Sequence, residues 1–399
     1  MVATVAIQHG RSNEAQLTYA PNAAVVSDGF NILFDGKVLT ADNSNRWDDA
    51  GTGTASYSNN KVSMSVDSGE YQIRQSTRRM PYFAGYPIYP EMTFDGFAND
   101  PGVTKRVGYF SSSTTAPYTA NLDGFWLEAD GTTYRMVAYR DGTETVNVPI
   151  DRWTCSKNNA EPTIIDNYDW DNFTAVMFDF LWLGGAALRM WLCTAKYGWI
   201  LAHTVPYVGN ATNTVTLSPQ QPLRYEIRGD SAAGSMRPMC GQVSTLGDVA
   251  GKSEGVASVA TTSVACNATN TIYALQGIKL NSTYLDLAAR VSSFSSVTTS
   301  TNDTGNVLLL KNPTLSAGLS YSAYGRVDRA HATNQTVTAV GTVLNAAPSS
   351  RTSQGLSPDN YLAWLTKAID GTADEFVLAF QPATTNQNVR ATLVWQEYS

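Results

Sequence analysis

Charge is what this chain has least of. Asp, Glu, Lys and Arg together make up 15% of its 399 residues, against about 25% in ordinary soluble domains, so the charged faces of surface helices are in short supply. Histidine is nearly missing as well. His9, His203 and His331 are the only three and lie far apart, which excludes an HExxH zinc site; His203, at a strand end, reads as a structural imidazole. Cys155, Cys193, Cys240 and Cys266 are too widely spaced for any CxxC zinc or redox motif, and free buried thiols are expected. No GxSxG elbow announces a nucleophilic serine. The stretch GDVAGKS (247–253) is one residue short of a phosphate-cradling loop and has no strand-loop-helix setting.

Long apolar runs are absent too. A spanning helix needs roughly 20 predominantly apolar residues, and the most apolar passage, FDFLWLGGAALRMWL over 178–192, contains Asp179 and Arg189. Membrane insertion is therefore not expected. The N-terminus has no apolar h-region behind a basic n-region, so no secretory signal is read and synthesis in the cytoplasm is expected. A net charge of -7 argues against nucleic acid, whose phosphates are bound by Lys and Arg. The one local basic cluster, Arg74, Arg78 and Arg79, reads as a strand end or as partners for nearby carboxylates.

What remains is rich in turns and rings. Twenty Tyr, nine Trp and thirty Gly, with Asp-Gly pairs at 35–36, 95–96, 123–124, 130–131, 141–142 and 370–371, indicate short strands joined by tight turns. The 178–192 passage alternates with a period of two. Val176, Phe178, Phe180 and Trp182 share one face, and Met177, Leu181 and Leu183 share the other with Asp179, the pattern of a buried central strand. Leu188, Met190 and Leu192 alternate next, then Trp199, Leu201 and His203, so three strands form a meander. In LRYEIRG, Leu223, Tyr225 and Ile227 face in while Arg224, Glu226 and Arg228 face out. The expected core centre is Phe178, Phe180, Trp182, Leu188 and Tyr225.

The fold class is all-β: two antiparallel β-sandwich or jelly-roll domains with a weakly structured N-terminal arm. The arm covers 1–28, the first jelly-roll-like sandwich 29–270 and the second sandwich 271–399, with the junction placed at the end of a Ser/Thr/Ala-rich stretch. One helix is expected, at SPDNYLAWLTKAI (357–369), where Ser357 caps, Pro358 suits the first turn, and Leu362, Leu365 and Ile369 share a face.

The densest acidic stretch, DNYDWDNF, offers Asp166, Asp169 and Asp171. As an Asx-turn loop it needs no ligand, since Asp and Asn bond their own backbone. As a functional loop it would be a calcium or glycan site, or supply the carboxylate pair of a glycosidase. Asp179 is read as a structural carboxylate paired with Arg189, because buried charges are normally paired. No cofactor or resident metal is expected.

Several segments, in order, resemble a group of virion structural proteins from tailed bacteriophages and large DNA viruses: RQSTRRMPYFAGYP (74–87), VGYFSSS followed by NLDGFWLEADGTTYRMVAYRDG (together within 107–142), VPIDRW (148–153), VMFDFLWLGGAALRM (176–190), PLRYEIRG (222–229) and SMRPMCGQVSTLGD (235–248). The positions carrying the likeness are Trp182, Leu183, Gly184, Arg189, Arg224, Tyr225, Glu226, Ile227 and Cys240, within about 70–250. The resemblance implies a non-enzymatic head fibre, capsid decoration or tail-associated component located in the virion. Its partners would be other virion proteins, identical copies as a homo-oligomer (a trimer for a fibre), and a host glycan. The alternative is a jelly-roll carbohydrate-binding or glycoside-cleaving protein.

Overall fold

The structure, a computed structural model, describes residues 18–19, 25–26, 30–37, 46–157, 168–182, 187–195, 197–207, 212–246, 254–259, 262–298, 304–349 and 364–398. It divides into two compact units, one made of residues 1–76 and 82–249 and the other of 77–81 and 250–399. Of the expected N-terminal arm, only Thr18–Tyr19 paired with Val25–Val26 is described.

Beyond that pair, fifteen strands among the described residues build the sandwich of the first unit: β1 Phe30–Lys37, β2 Trp47–Gly51, β3 Thr54–Ser58, β4 Lys61–Val66, β5 Tyr71–Ser76, β6 Ile88–Asp95, β7 Val103–Ser111, β8 Asp123–Ala129, β9 Tyr134–Arg140, β10 Thr143–Pro149, β11 Thr174–Phe180, β12 Ala187–Thr194, β13 Gly198–Pro206, β14 Leu223–Gly229 and β15 Gly234–Leu246. They form two antiparallel sheets. One has the order β10-β9-β8-β7-β14-β5-β2 and the other β13-β12-β11-β6-β15-β4-β3, with β1 added along β15. The expected meander is present as β11, β12 and β13, with Phe178 opposite Met190 and Met190 opposite His203.

The sheets pack face to face through the alternating apolar positions. Phe125 of β8 meets Phe178 and Phe180 of β11 with ring centroids 5.1 and 4.9 Å apart. Tyr225 of β14 donates its hydroxyl across the interior to the Cys240 carbonyl at 2.7 Å. Phe178, Phe180, Leu188 and Tyr225 are fully buried, each removal from water contributing roughly 1.5–3 kcal/mol. All four were expected at the core centre.

Trp182 is not at that centre. Its strand ends at Phe180, and Trp182 lies beyond it, half-buried, with its indole N–H donating to the Thr216 carbonyl at 3.1 Å and its ring edge-on to Tyr82. The period-two pattern ran two residues past the last paired position. Trp182→Ala is therefore expected to cost about 1–2 kcal/mol, below the ~3–5 of a fully buried aromatic truncation. Urea unfolding reads the difference, and a loss as large as that of Phe178→Ala would put Trp182 back in the core.

The second unit is also an antiparallel sandwich, of two larger sheets accompanied by the short Thr314–Leu315/Val337–Ala339 pair. Gln387–Tyr398 lies between Glu254–Val259 and Ala288–Thr298, the latter also pairing Trp364–Leu365. The facing sheet runs Ser322–Tyr324, Val327–His331, Tyr273–Leu280, Glu375–Pro382, Gly305–Lys311, Thr342–Ser349. Trp395, Leu393, Phe294, Ile278, Phe376 and Phe380 share one core. Two sequence assignments change here. Glu254–Val259 and Val264–Cys266 pair with the C-terminal strand, so the junction falls at 249/250 and not at 270; Ser/Thr/Ala richness reflected strands with small side chains, not a linker. Trp364–Leu365 is a strand opposite Ala289 and Arg290, which removes the end of the expected helix, where β-pairing outweighs a helical spacing of Leu365 and Ile369. Residues 357–363 lie outside the described residues.

Candidate functional site

One end of the first sandwich gathers a group of rings and carboxylates. β6 ends there, β7 begins, β8 turns into β9, and β11 begins, because antiparallel neighbours alternate direction. The segment Tyr168–Phe173 is tied to the β6 end by Phe97 N–H donating to the Trp170 carbonyl (2.9 Å) and Gly96 N–H to the Asp171 carbonyl (3.1 Å). Trp170 is thereby inserted into an aromatic box. Its ring stacks on Tyr134 at 4.3 Å and 20°, with Tyr168 at 4.7 Å, Phe97 at 6.3 Å and Trp153 edge-on at 6.4 Å. Trp170, Trp153 and Phe97 are buried, while Tyr134 and Tyr168 are half-exposed.

Polar groups rim the box. Asn99 Oδ1 accepts from the Gly131 N–H at 2.7 Å, fixing the β8–β9 turn beside it. Within that turn Asp130 accepts from the Thr132 and Thr133 amides and from Arg135. Partial burial opposes ionisation of Asp130, but these donors prevail and hold its carboxyl down at about 2. Lys105 is buried, and its ammonium donates to the carbonyls of Gly96 (2.9 Å) and Ala98 (3.0 Å) and to Asp100 Oδ2 (2.7 Å), which rigidifies the 96–100 loop. Asp169, Asp171 and Asn172 are exposed. Burial, reinforced by the charges of Asp171, Asp100 and Asp169, pushes the Tyr134 phenol up to about 12 against the opposing hydrogen bond at Asn99. Tyr134 is thus a hydrogen-bonding phenol at neutral pH and not a phenolate.

The sequence singled out Asp166, Asp169 and Asp171. Asp166 lies outside the described residues. Asp169 Oδ1 accepts from the Asp171 N–H (3.1 Å) and Oδ2 from the Asn172 amide (2.6 Å), so this carboxylate closes an Asx turn. Among the described residues no three His, Cys, Asp or Glu side chains gather as a metal site. Asp171 stays at the rim. Tyr134, Trp153, Phe97, Asn99 and Asp100 were missed: the topology assembles them from three separate segments, and only the Asp130-Gly131 turn signalled one of these in advance. Asp179 is buried and held by Arg189 Nη1 at 2.8 Å; burial pushes its carboxyl up, with Arg189 opposing. His203 Nδ1 accepts from the Thr154 N–H at 3.1 Å. Arg74 is buried against Asp49 at 2.8 Å, and Arg79 reaches Asp286 at 3.1 Å. Both arginines are partners for carboxylates.

Chemically, this end can stack a flat apolar face against tyrosine and hydrogen-bond around it. No protein-family model matches the chain, and no curated protein matches it. Among solved structures it is similar to a legume lectin-like domain from Entamoeba histolytica, at 10% identity over 50% of this chain and 89% of that one, with a TM-score of 0.32. It is similar also to arcelin-5, a lectin-like defense protein from Phaseolus vulgaris, at 8% identity over 54% and 98% with a TM-score of 0.35. The VIP36 exoplasmic/lumenal domain in its Ca2+/Man3GlcNAc-bound form matches at 12% identity over 52% and 86% with a TM-score of 0.33.

Proposed function

We propose that this chain is a non-enzymatic carbohydrate-binding protein whose first sandwich takes a glycan at the Tyr134–Trp170 end. The observation that carries the reading is the stacked Tyr134–Trp170 pair, backed by buried Trp153 and rimmed by Asp100, Asp171 and Asn172. A sugar presents an apolar C–H face and a circumference of hydroxyls. Aromatic rings supply area with a polar handle for the first, and amides and carboxylates supply donors and acceptors for the second.

A glycan array probed with the full chain, followed by titration of the best hit, tests this. Tyr134→Ala and Asp171→Ala are each expected to weaken binding at least tenfold, about 1.4 kcal/mol, with the melting temperature held. Absence of any saturable binding, or binding indifferent to both changes, would sink the reading; turnover of a bound glycoside would replace it with an enzyme. A place on a virus particle, in the role of host attachment, rests on the sequence resemblance alone. Immunogold labelling of released particles tests it, and unlabelled heads and tails would remove it.

A further inference from the structure

The second sandwich carries a cleft that the glycan reading of the first leaves unused. It opens where Gly305–Lys311 begins opposite the end of Glu375–Pro382, with Gly305 in register with Pro382, and where the turn Ala268–Thr271 approaches. Its volume is about 600 Å³, and Thr269, Asn270, Thr304, Asn306 and Gln381 are among its lining residues, none of which is charged or aromatic. That volume lies in the range of small-molecule sites.

The cleft is built into the fold. A Cβ on Gly305 would fall 2.4 Å from both the Gln381 carbonyl and the Phe380 ring, so its floor admits no side chain. Gln387 is fully buried beside it. Its Nε2 donates to the Thr304 carbonyl (2.8 Å), the Thr384 carbonyl (3.1 Å) and Thr384 Oγ1 (2.7 Å), and Ala383 N–H joins the same Thr304 carbonyl at 2.8 Å. The two rims are thus tied together. With Nε2 committed, the Gln387 amide cannot turn round, and its Oε1 has no hydrogen-bond partner among the described residues. A buried acceptor of this kind favours any arrangement that brings it a donor.

We propose that this cleft binds a small, neutral, polyhydroxylated molecule of the sugar or polyol class. Side-chain amides and hydroxyls each donate and accept, which is the match for hydroxyl groups that do the same. An anionic or cationic ligand would meet no opposite charge among the lining residues and would shed its hydration without compensation. Without an aromatic platform, affinity comes from hydrogen bonds alone, and a dissociation constant in the millimolar range is expected. The inference stands whether or not the first sandwich binds glycans.

The test is saturation-transfer difference NMR on the full chain with glucose, N-acetylglucosamine, maltose and glycerol as neutral probes, and glucose 6-phosphate and sialic acid as charged ones. In the Tyr134→Ala background, which disables the site proposed on the first sandwich, a neutral probe is still expected to bind, and at least tenfold more weakly once Asn270→Ala/Asn306→Ala is added, whose exposed side chains can be removed without opening the core. Should that variant lose structure, Asn306→Asp serves instead: it keeps the side-chain shape, and tenfold weaker neutral-probe binding is again expected. No neutral binding up to about 50 mM, equal binding by the cleft variants, or preference for a charged probe would overturn the proposal.

Discussion

Arg224→Ala is expected to destabilise the first unit by about 3–5 kcal/mol, the loss seen when one member of a buried ion pair is removed. Arg224 and Glu226 are each about 1% exposed, on the face of β14 that the sequence reads as outward. That face is covered: Arg224 donates to Ser112 Oγ (2.7 Å) and the Tyr118 carbonyl (3.0 Å), both in the segment between β7 and β8. Glu226 accepts from Arg224 Nη2 at 2.6 Å and from Arg106 Nη1 at 3.0 Å, and Arg106 continues to Glu128 at 2.7 Å, which the Trp126 indole also reaches at 3.0 Å. Truncating Arg224 leaves Glu226 with one guanidinium and strands two acceptors. Urea unfolding followed by fluorescence should show a lower midpoint at unchanged slope, and a loss under 1 kcal/mol would mean that the network is hydrated.

The same network fixes a pH dependence. Burial pushes the Glu226 carboxyl up, but Arg224 and Arg106 together outweigh it and hold the carboxyl below its ordinary 4.5. The unfolded chain then binds the proton more tightly than the folded one. Stability from Glu226 is fully present above about pH 4.5 and drains away as pH falls through the lower folded value. Glu226→Gln should flatten that acid limb of the stability curve while lowering stability at neutral pH; an unchanged limb would assign the acid sensitivity elsewhere.

Asp123→Ala is the second large effect, expected at about 3–4 kcal/mol. Asp123 opens β8, is buried, and accepts from the backbone N–H groups of Leu217 (2.7 Å), Ser218 (3.0 Å) and Asp141 (3.3 Å) and from the Gln221 amide. Hydrogen bonds to a charged group are each worth roughly 1.5–3 kcal/mol, and water recovers part of the sum once the loop loosens. Hydrogen exchange is the direct readout: the Leu217 and Ser218 amides should lose protection before the β11 amides do. Uniform loss across the unit would show that Asp123 holds the whole sandwich and not this loop.

The fold was legible where side chains alternate. The face of the last strand carrying Val389, Ala391, Leu393 and Trp395 is buried throughout, and the 174–206 meander falls within a few residues of its expected bounds. Alternation names the inward face but not what covers the outward one, so Arg224 and Glu226 were read as facing outward when a loop about 110 residues away in sequence closes over them. The candidate site was legible only as Asp169 and Asp171. Its rings come from positions 97, 134, 153, 168 and 170, a set that no local spacing encodes, because strand order alone makes them neighbours.

The positions of β14 and β15 bear on how this protein is made. Each enters the middle of its sheet, β14 between β7 and β5, β15 between β6 and β4. Until Leu223–Leu246 has left the ribosome, one sheet exists only as β10-β9-β8-β7 and a separate β5-β2 pair, and the other is likewise split. The earlier hairpins and meanders can form as they emerge, yet their open flanks wait for the last two strands, such as Tyr71 for Arg228. Pairings so distant in sequence close slowly, and waiting strand edges attract other chains. Synthesis of this unit therefore passes through a long interval in which its halves are exposed to one another's copies on neighbouring ribosomes, and closure comes as a single late event.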